Sequence, residues 1–223
     1  METARPKKML PGRFAPAFER PESDAPVRAS WRESRVTDHF VGFYLDDPPL
    51  VEAAAGFIAS GLSAVEGGVV IATAERRRAI EQDLEARGID LLVARARYQY
   101  VPLDAESTLA QVMSGNLPDE RLFAEVVGSV VTRMACAGFR VRAFAETTAL
   151  LWAQGRVDAA IQLERLWNDL GLTRRFALFC ACPMMHFQGG RDDSGFQRLR
   201  AVHRAVLPVA HSGGLPLEGF TPA

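Results

Sequence analysis

Three soft metal ligands stand together near the end of the chain, Cys180, Cys182 and His186, in the pattern Cys-x-Cys-x₃-His. Thiolates and an imidazole in that arrangement suit zinc or a similar soft ion. A closed tetrahedral site needs a fourth donor, and His203 or His39 is what the sequence offers. The rival reading is a pair of buried thiols on one face of a strand, where cysteine acts as a small apolar side chain. The first reading makes the chain a metal or thiol-redox sensor; the second makes these residues core.

Carboxylates and arginines supply the next candidates. Glu146 follows an apolar stretch and precedes a helical one, a place suited equally to a ligand contact and to a helix cap. Asp46-Asp47-Pro48-Pro49 stands where a phosphate cradle would need glycines, free N–H groups and a lysine. Two carboxylates there repel a triphosphate, although they suit a metal ion. The only lysines are Lys7 and Lys8, so the rest of the chain has no Schiff-base lysine, lysine base or P-loop lysine. Gly61, Gly67 and Gly68 precede a strand, the wrong side for a phosphate loop. Arg76-Arg77-Arg78 reads as an anion grip or, more simply, as a solvated helix start. Arg140 and Arg142 share one strand face and have Glu146 or Glu164 as pairing partners. Tyr44, Tyr98, Tyr100, Trp152 and Trp167 belong to a core or an apolar pocket. No nucleophile, base and oxyanion hole stand out together, so the expectation is a binding module and not an enzyme, with no cofactor.

The elements that must position these residues alternate. Strands are expected at 39–45, 69–73, 98–103, 141–144 and 176–182. Helices are expected at 50–62, 75–87, 104–114, 118–137, 147–153, 157–170 and 196–206. Pro48-Pro49 suits a first helical turn, and Asp104 is a cap. Val69-Val-Ile-Ala-Thr73 is a β-branched run of the kind buried on both faces of a sheet. Such alternation argues a three-layer α/β sandwich with a mostly parallel central sheet, and ligands of such sheets bind beyond the carboxyl ends of the strands.

Composition bounds the rest. The 223 residues are 48% hydrophobic and 24% charged with a net charge of −1, enough for one substantial core and too balanced for an electrostatic nucleic-acid binder. Three cysteines make no disulfide framework, and no apolar run is long enough to span a bilayer. The expected compartment is the cytoplasm, with no membrane and no direct nucleic-acid partner. Residues 1–36, broken by Pro6, Pro11, Pro16, Pro21 and Pro26, are expected as a disordered or loosely docked tail, 37–209 as the domain and 210–223 as a flexible end.

An ordered set of motifs resembles one family. It begins with His39-x-x-x-Phe43-Tyr44 and Gly61-Leu-x₃-Glu66 leading into Val70-Ile-Ala-Thr73. Leu103-Asp104-Ala105, Gly115-x-x-Pro118-Asp119 and Val141-Arg142-x-Phe144-x-Glu146 follow. Then come Leu150-Leu-Trp152-x-x-Gly155, Ala160-x-x-Leu163-Glu164-x-Leu166-Trp167-Asn168, Phe176-x-Leu-x-Cys180-Ala-x-Pro183 and His203-x-x-Val206-x-Pro208. Together they resemble the MEDS domain, the methanogen/methylotroph DcmR-type sensory domain. The resemblance implies a RecA/KaiC-like sandwich without a P-loop that senses a small ligand, a hydrocarbon derivative among the candidates. It also implies a separate signalling partner, such as a histidine kinase or transcription regulator. The ligand pocket is expected at the strand ends, lined by His39, Tyr44, Glu146, Trp152, Cys180 and His203. Ala145, Cys182 and Arg204 depart from the family pattern beside it. A residual nucleotide-binding protein of RecA/KaiC type is the remaining alternative.

Overall fold

A computed structural model describes residues 39–186, 194–203 and 205–208. The tails expected at 1–36 and 210–223 lie outside the described residues. Among the described residues the central sheet has six strands: β1 (His39–Tyr44), β2 (Gly67–Ala72), β3 (Tyr100–Asp104), β6 (Val141–Ala145), β7 (Phe176–Pro183) and β8 (Ala205–Pro208). Their order is β3-β2-β6-β7-β1-β8, and every described pairing in this sheet is parallel. A two-residue hairpin, β4 (Met113–Ser114) with β5 (Leu117–Pro118), stands apart.

Strand parity splits the core. Val41, Phe43, Val69, Ile71, Val141, Ala143, Leu178 and Cys180 face one apolar layer. Their alternates Phe40, Tyr44, Val70, Ala72, Phe144, Ala177 and Phe179 face the other. Successive side chains of a strand point to opposite faces, so the two layers are the two sides of one sheet. Helices α1 (Asp47–Ser63), α2 (Ala74–Ala86) and α3 (Leu91–Ala96) cover the second face. Covering the first are α4 (Ala105–Val112), α5 (Glu120–Phe123), α6 (Ser129–Cys136), α7 (Thr147–Ala153) and α8 (Val157–Thr173). This is the expected three-layer sandwich.

Local chemistry sets the helix starts. Asp90, Asp104 and Asp119 each accept the N–H of the residue three positions on, satisfying an orphan donor of α3, α4 and α5. Pro48 and Pro49 occupy the first turn of α1, where a missing N–H costs nothing.

The expected helix over 196–206 is corrected. Helix α9 (Ser194–Ala201) stops early and β8 follows. The N–H groups of Val202 and His203 close a turn on Leu199 and Arg200, and β8 then pairs with β1 in register Val41↔Val206. Without β8, the fully buried strand β1 would be a sheet edge with unpaired N–H and C=O groups, and that pairing outweighs local helix propensity. The helix expected to reach Ser114 likewise ends at Val112, because Met113 and Ser114 leave it to pair in the hairpin. α3 is a further short helix, in a stretch to which the sequence reading gave no element.

Candidate functional site

His39 opens β1 and shares the face of Val41, whose partner on β7 is Cys180. Helix α8 packs across that face and carries Glu164, which is wholly buried. His203, just beyond α9, closes the group from the side of β8. Its ring lies 4.2 Å from that of His39, centroid to centroid. One nitrogen from each histidine, the Cys180 sulfur and a Glu164 oxygen all lie within 4.8 Å of one another. His39 Nε2 is 3.1 Å from Glu164 Oε2 and 3.4 Å from Cys180 Sγ. Cys180 Sγ is 3.3 Å from Glu164 Oε2, and His203 Nε2 is 3.3 Å from the same oxygen.

The outer nitrogens of both rings are committed elsewhere. Asn168, one turn beyond Glu164 on α8, donates through Nδ2 to the Val202 carbonyl at 2.9 Å. Its Oδ1 therefore faces His39 Nδ1, 2.8 Å away, and accepts that proton. His203 Nδ1 donates to the Leu199 carbonyl at 2.8 Å. Each Nε2 is thereby aimed at the centre of the cluster. Among the described residues Glu164 Oε1 has no hydrogen-bond partner.

Electrostatics in this site pull in opposite directions. Burial opposes ionisation of Glu164, yet the positive charge that His203 and His39 can carry outweighs it and holds the carboxyl well below the usual range. Burial, and then the charge of Glu164, pushes the Cys180 thiol well above its ordinary value. Cys182 is raised for the same two reasons, burial first. The cluster is a place where a buried carboxylate calls for a cation.

A second polar group lies on the opposite face, at the carboxyl ends of β1, β2 and β6. Glu146 is fully buried. Its side chain makes no cap hydrogen bond to α7 and instead accepts from the Thr73 N–H and the Arg76 guanidinium. Arg76 also donates to Asp47 at 2.6 Å, and its guanidinium sits 5.3 Å from the centre of the Tyr44 ring. Burial works against the charge on Arg76, but Glu146, Tyr44 and Asp47 prevail and raise its pKa. Burial likewise pushes the Tyr44 phenol up. An oxyanion here would meet paired carboxylates and a helix start with prolines at two of its first three positions, the opposite of a phosphate cradle.

The six residues expected around one pocket thus fall into two places. His39, Cys180 and His203 come together with Glu164 on one face. Tyr44 and Glu146 meet through Arg76 on the other. Trp152 belongs to the apolar core of the first face. Of the expected metal trio, Cys180 joins the cluster. Cys182 follows on the same face of β7 and is not part of it, and the side chain of His186 lies outside the described residues. Arg142 donates to Glu66 at 2.6 Å, and Arg140 joins the same carboxylate at 3.3 Å. Glu164 and Asn168 are the residues that sequence reasoning missed as members of the site. The available signal was a carboxylate and an amide spaced four apart on the apolar stripe of Ala160, Ile161 and Trp167.

The fold is that of a RecA-like α/β domain. The solved structures show the same architecture: a KaiC-like protein from the hyperthermophilic archaeon Pyrococcus horikoshii OT3 superposes with a TM-score of 0.52 at 15% identity, covering 75% of this chain and 70% of that one. The profile of the MEDS family, the methanogen/methylotroph DcmR sensory domain, matches residues 38–204. The chain belongs to that family. The comparison with curated proteins found no match. Among the described residues no helix is long and apolar enough to cross a membrane.

Proposed function

We propose that this chain is a non-enzymatic cytoplasmic sensory domain that takes a small ligand at the His39–Glu164–Cys180–His203 cluster. Its output passes to a separate signalling protein, a histidine kinase or a transcription regulator. The family supplies the sensory role. The observation that carries the assignment to this cluster is the place of His203. It is a member of the buried polar group and stands two residues before Ala205, where β8 begins its pairing beside β1. Occupancy of the cluster would therefore bear on the docking of β8. A net charge of −1 and arginines paired with carboxylates at the strand ends favour a small ligand over nucleic acid or a nucleoside triphosphate.

Hydrogen exchange on the full chain tests this. Short alcohols, aldehydes and halogenated alkanes are added one at a time, and protection of the β8 amides is followed. At least one compound is expected to slow β8 exchange in the natural chain and to have no effect in His203→Gln. No β8 response to any compound, or an equal response in His203→Gln, overturns the assignment.

A further inference from the structure

We propose that His39, Glu164, Cys180 and His203 form a site for a single transition-metal ion, with zinc the best match. The four donor atoms already outline most of a coordination polyhedron. Bond lengths of about 2.0–2.2 Å to nitrogen and oxygen and about 2.3 Å to sulfur give tetrahedron edges of roughly 3.3–3.6 Å. The four measured edges are 3.1, 3.3, 3.3 and 3.4 Å. The remaining pairs are no more than 4.8 Å apart.

The outer hydrogen bonds are those of a metal site. A ligating histidine donates its other N–H to a carbonyl or amide oxygen, which fixes the tautomer and turns a lone pair toward the ion. His39 does this to Asn168 and His203 to Leu199. Two lone pairs, a carboxylate and a sulfur then converge in the buried interior. A divalent ion supplies the positive charge that the wholly buried Glu164 calls for. One thiolate and one carboxylate cancel its charge, two neutral imidazoles complete the set, and the interior holds no net charge. Binding releases the Cys180 proton to solvent. The thiolate and imidazoles exclude magnesium and calcium, which take oxygen donors.

This inference deepens the sensory reading, because the ion would occupy the same cluster, but it is tested separately. Full-length protein purified without an affinity tag, stripped with chelator, is titrated with Co(II) and then Zn(II). One equivalent of Co(II) is expected to give a thiolate charge-transfer band and the intense visible bands of a tetrahedral ion, with Zn(II) displacing both. Cys180→Ser is expected to lose the charge-transfer band and Cys182→Ser to keep it. Asn168→Ala, a positioning change beyond the donor set, is expected to weaken affinity about 10–100-fold. X-ray absorption of the zinc-loaded natural chain, with one sulfur in the shell, supports the site without any variant. No charge-transfer band in folded natural protein, or a band that survives Cys180→Ser, overturns the proposal whatever the hydrogen exchange gives. A bound ion with no response at β8 supports the metal site and overturns the sensory route.

Discussion

The Glu146–Arg76 pair offers the sharpest thermodynamic test, because both partners are largely dry and they join different elements. Arg76 is 15% exposed and Glu146 1%. Glu146→Ala leaves the guanidinium buried with Asp47 as its remaining carboxylate and strips the Thr73 N–H of its acceptor. Breaking a buried pair costs about 3–5 kcal/mol. With Asp47 retained, the lower end applies, about 3 kcal/mol. For a chain of this size that is a fall in Tm of about 6–12 °C. Arg76→Ala strands Glu146 in turn and should cost a similar amount. In the double variant neither charge is left behind, so the costs cannot add. A coupling of about 2–3 kcal/mol is expected from urea unfolding of the four proteins. Additivity within about 0.5 kcal/mol would refute the clamp. Cobalt binding should be unchanged throughout, since the clamp sits on the other face of the sheet.

Three further outcomes are expected. Val65 ends α1 with φ of 61° in a Schellman turn, where the N–H groups of Val65 and Glu66 reach Leu62 and Gly61. Its exposed side chain has little packing to lose, so Val65→Gly should raise stability by about 1 kcal/mol in urea, and a loss would contradict the backbone argument. Gly61→Ala should do the reverse, because the added Cβ would stand 2.6 Å from Arg142 Cδ and push that side chain off Glu66. A net loss of about 1–2 kcal/mol by the same assay is expected despite the gain in helix propensity. The Tyr44 and Tyr100 phenols are both raised by burial, so the unfolded chain ionises first. Their contribution is complete below about pH 10 and is lost as pH rises above it. Tyr44→Phe should flatten that alkaline loss in a Tm-against-pH series.

The sandwich was legible because its strands announce themselves. Val69–Ala72 and Phe176–Cys182 are apolar without interruption, as strands buried on both faces must be. Asp104 also caps a helix where its position suggested. Less of the site could be read. Cys180, His39 and His203 stood out by residue type, but β-strand parity assigns His39 and Tyr44, five residues apart on one strand, to opposite faces. No local pattern marks which face a ligand uses. Glu164 lay hidden because a single carboxylate in an amphipathic helix reads as a surface residue until the helix is turned against the sheet. β8 was missed because its pairing is set by an unfilled edge contributed by β1, far away in sequence.

That edge has a consequence for biosynthesis. β1 leaves the ribosome before any other strand of the sheet, yet its neighbours β7 and β8 are the last to be made. The contact from His39 to Cys180 spans 141 residues. Throughout translation of the intervening elements, His39-Phe-Val-Gly-Phe-Tyr44 is a nascent apolar strand with no partner, the kind of segment that chaperones shield and that pairs wrongly with other chains. Shortened chains that stop before β7 leave β1 without either neighbour. They should yield aggregates rather than a smaller folded domain.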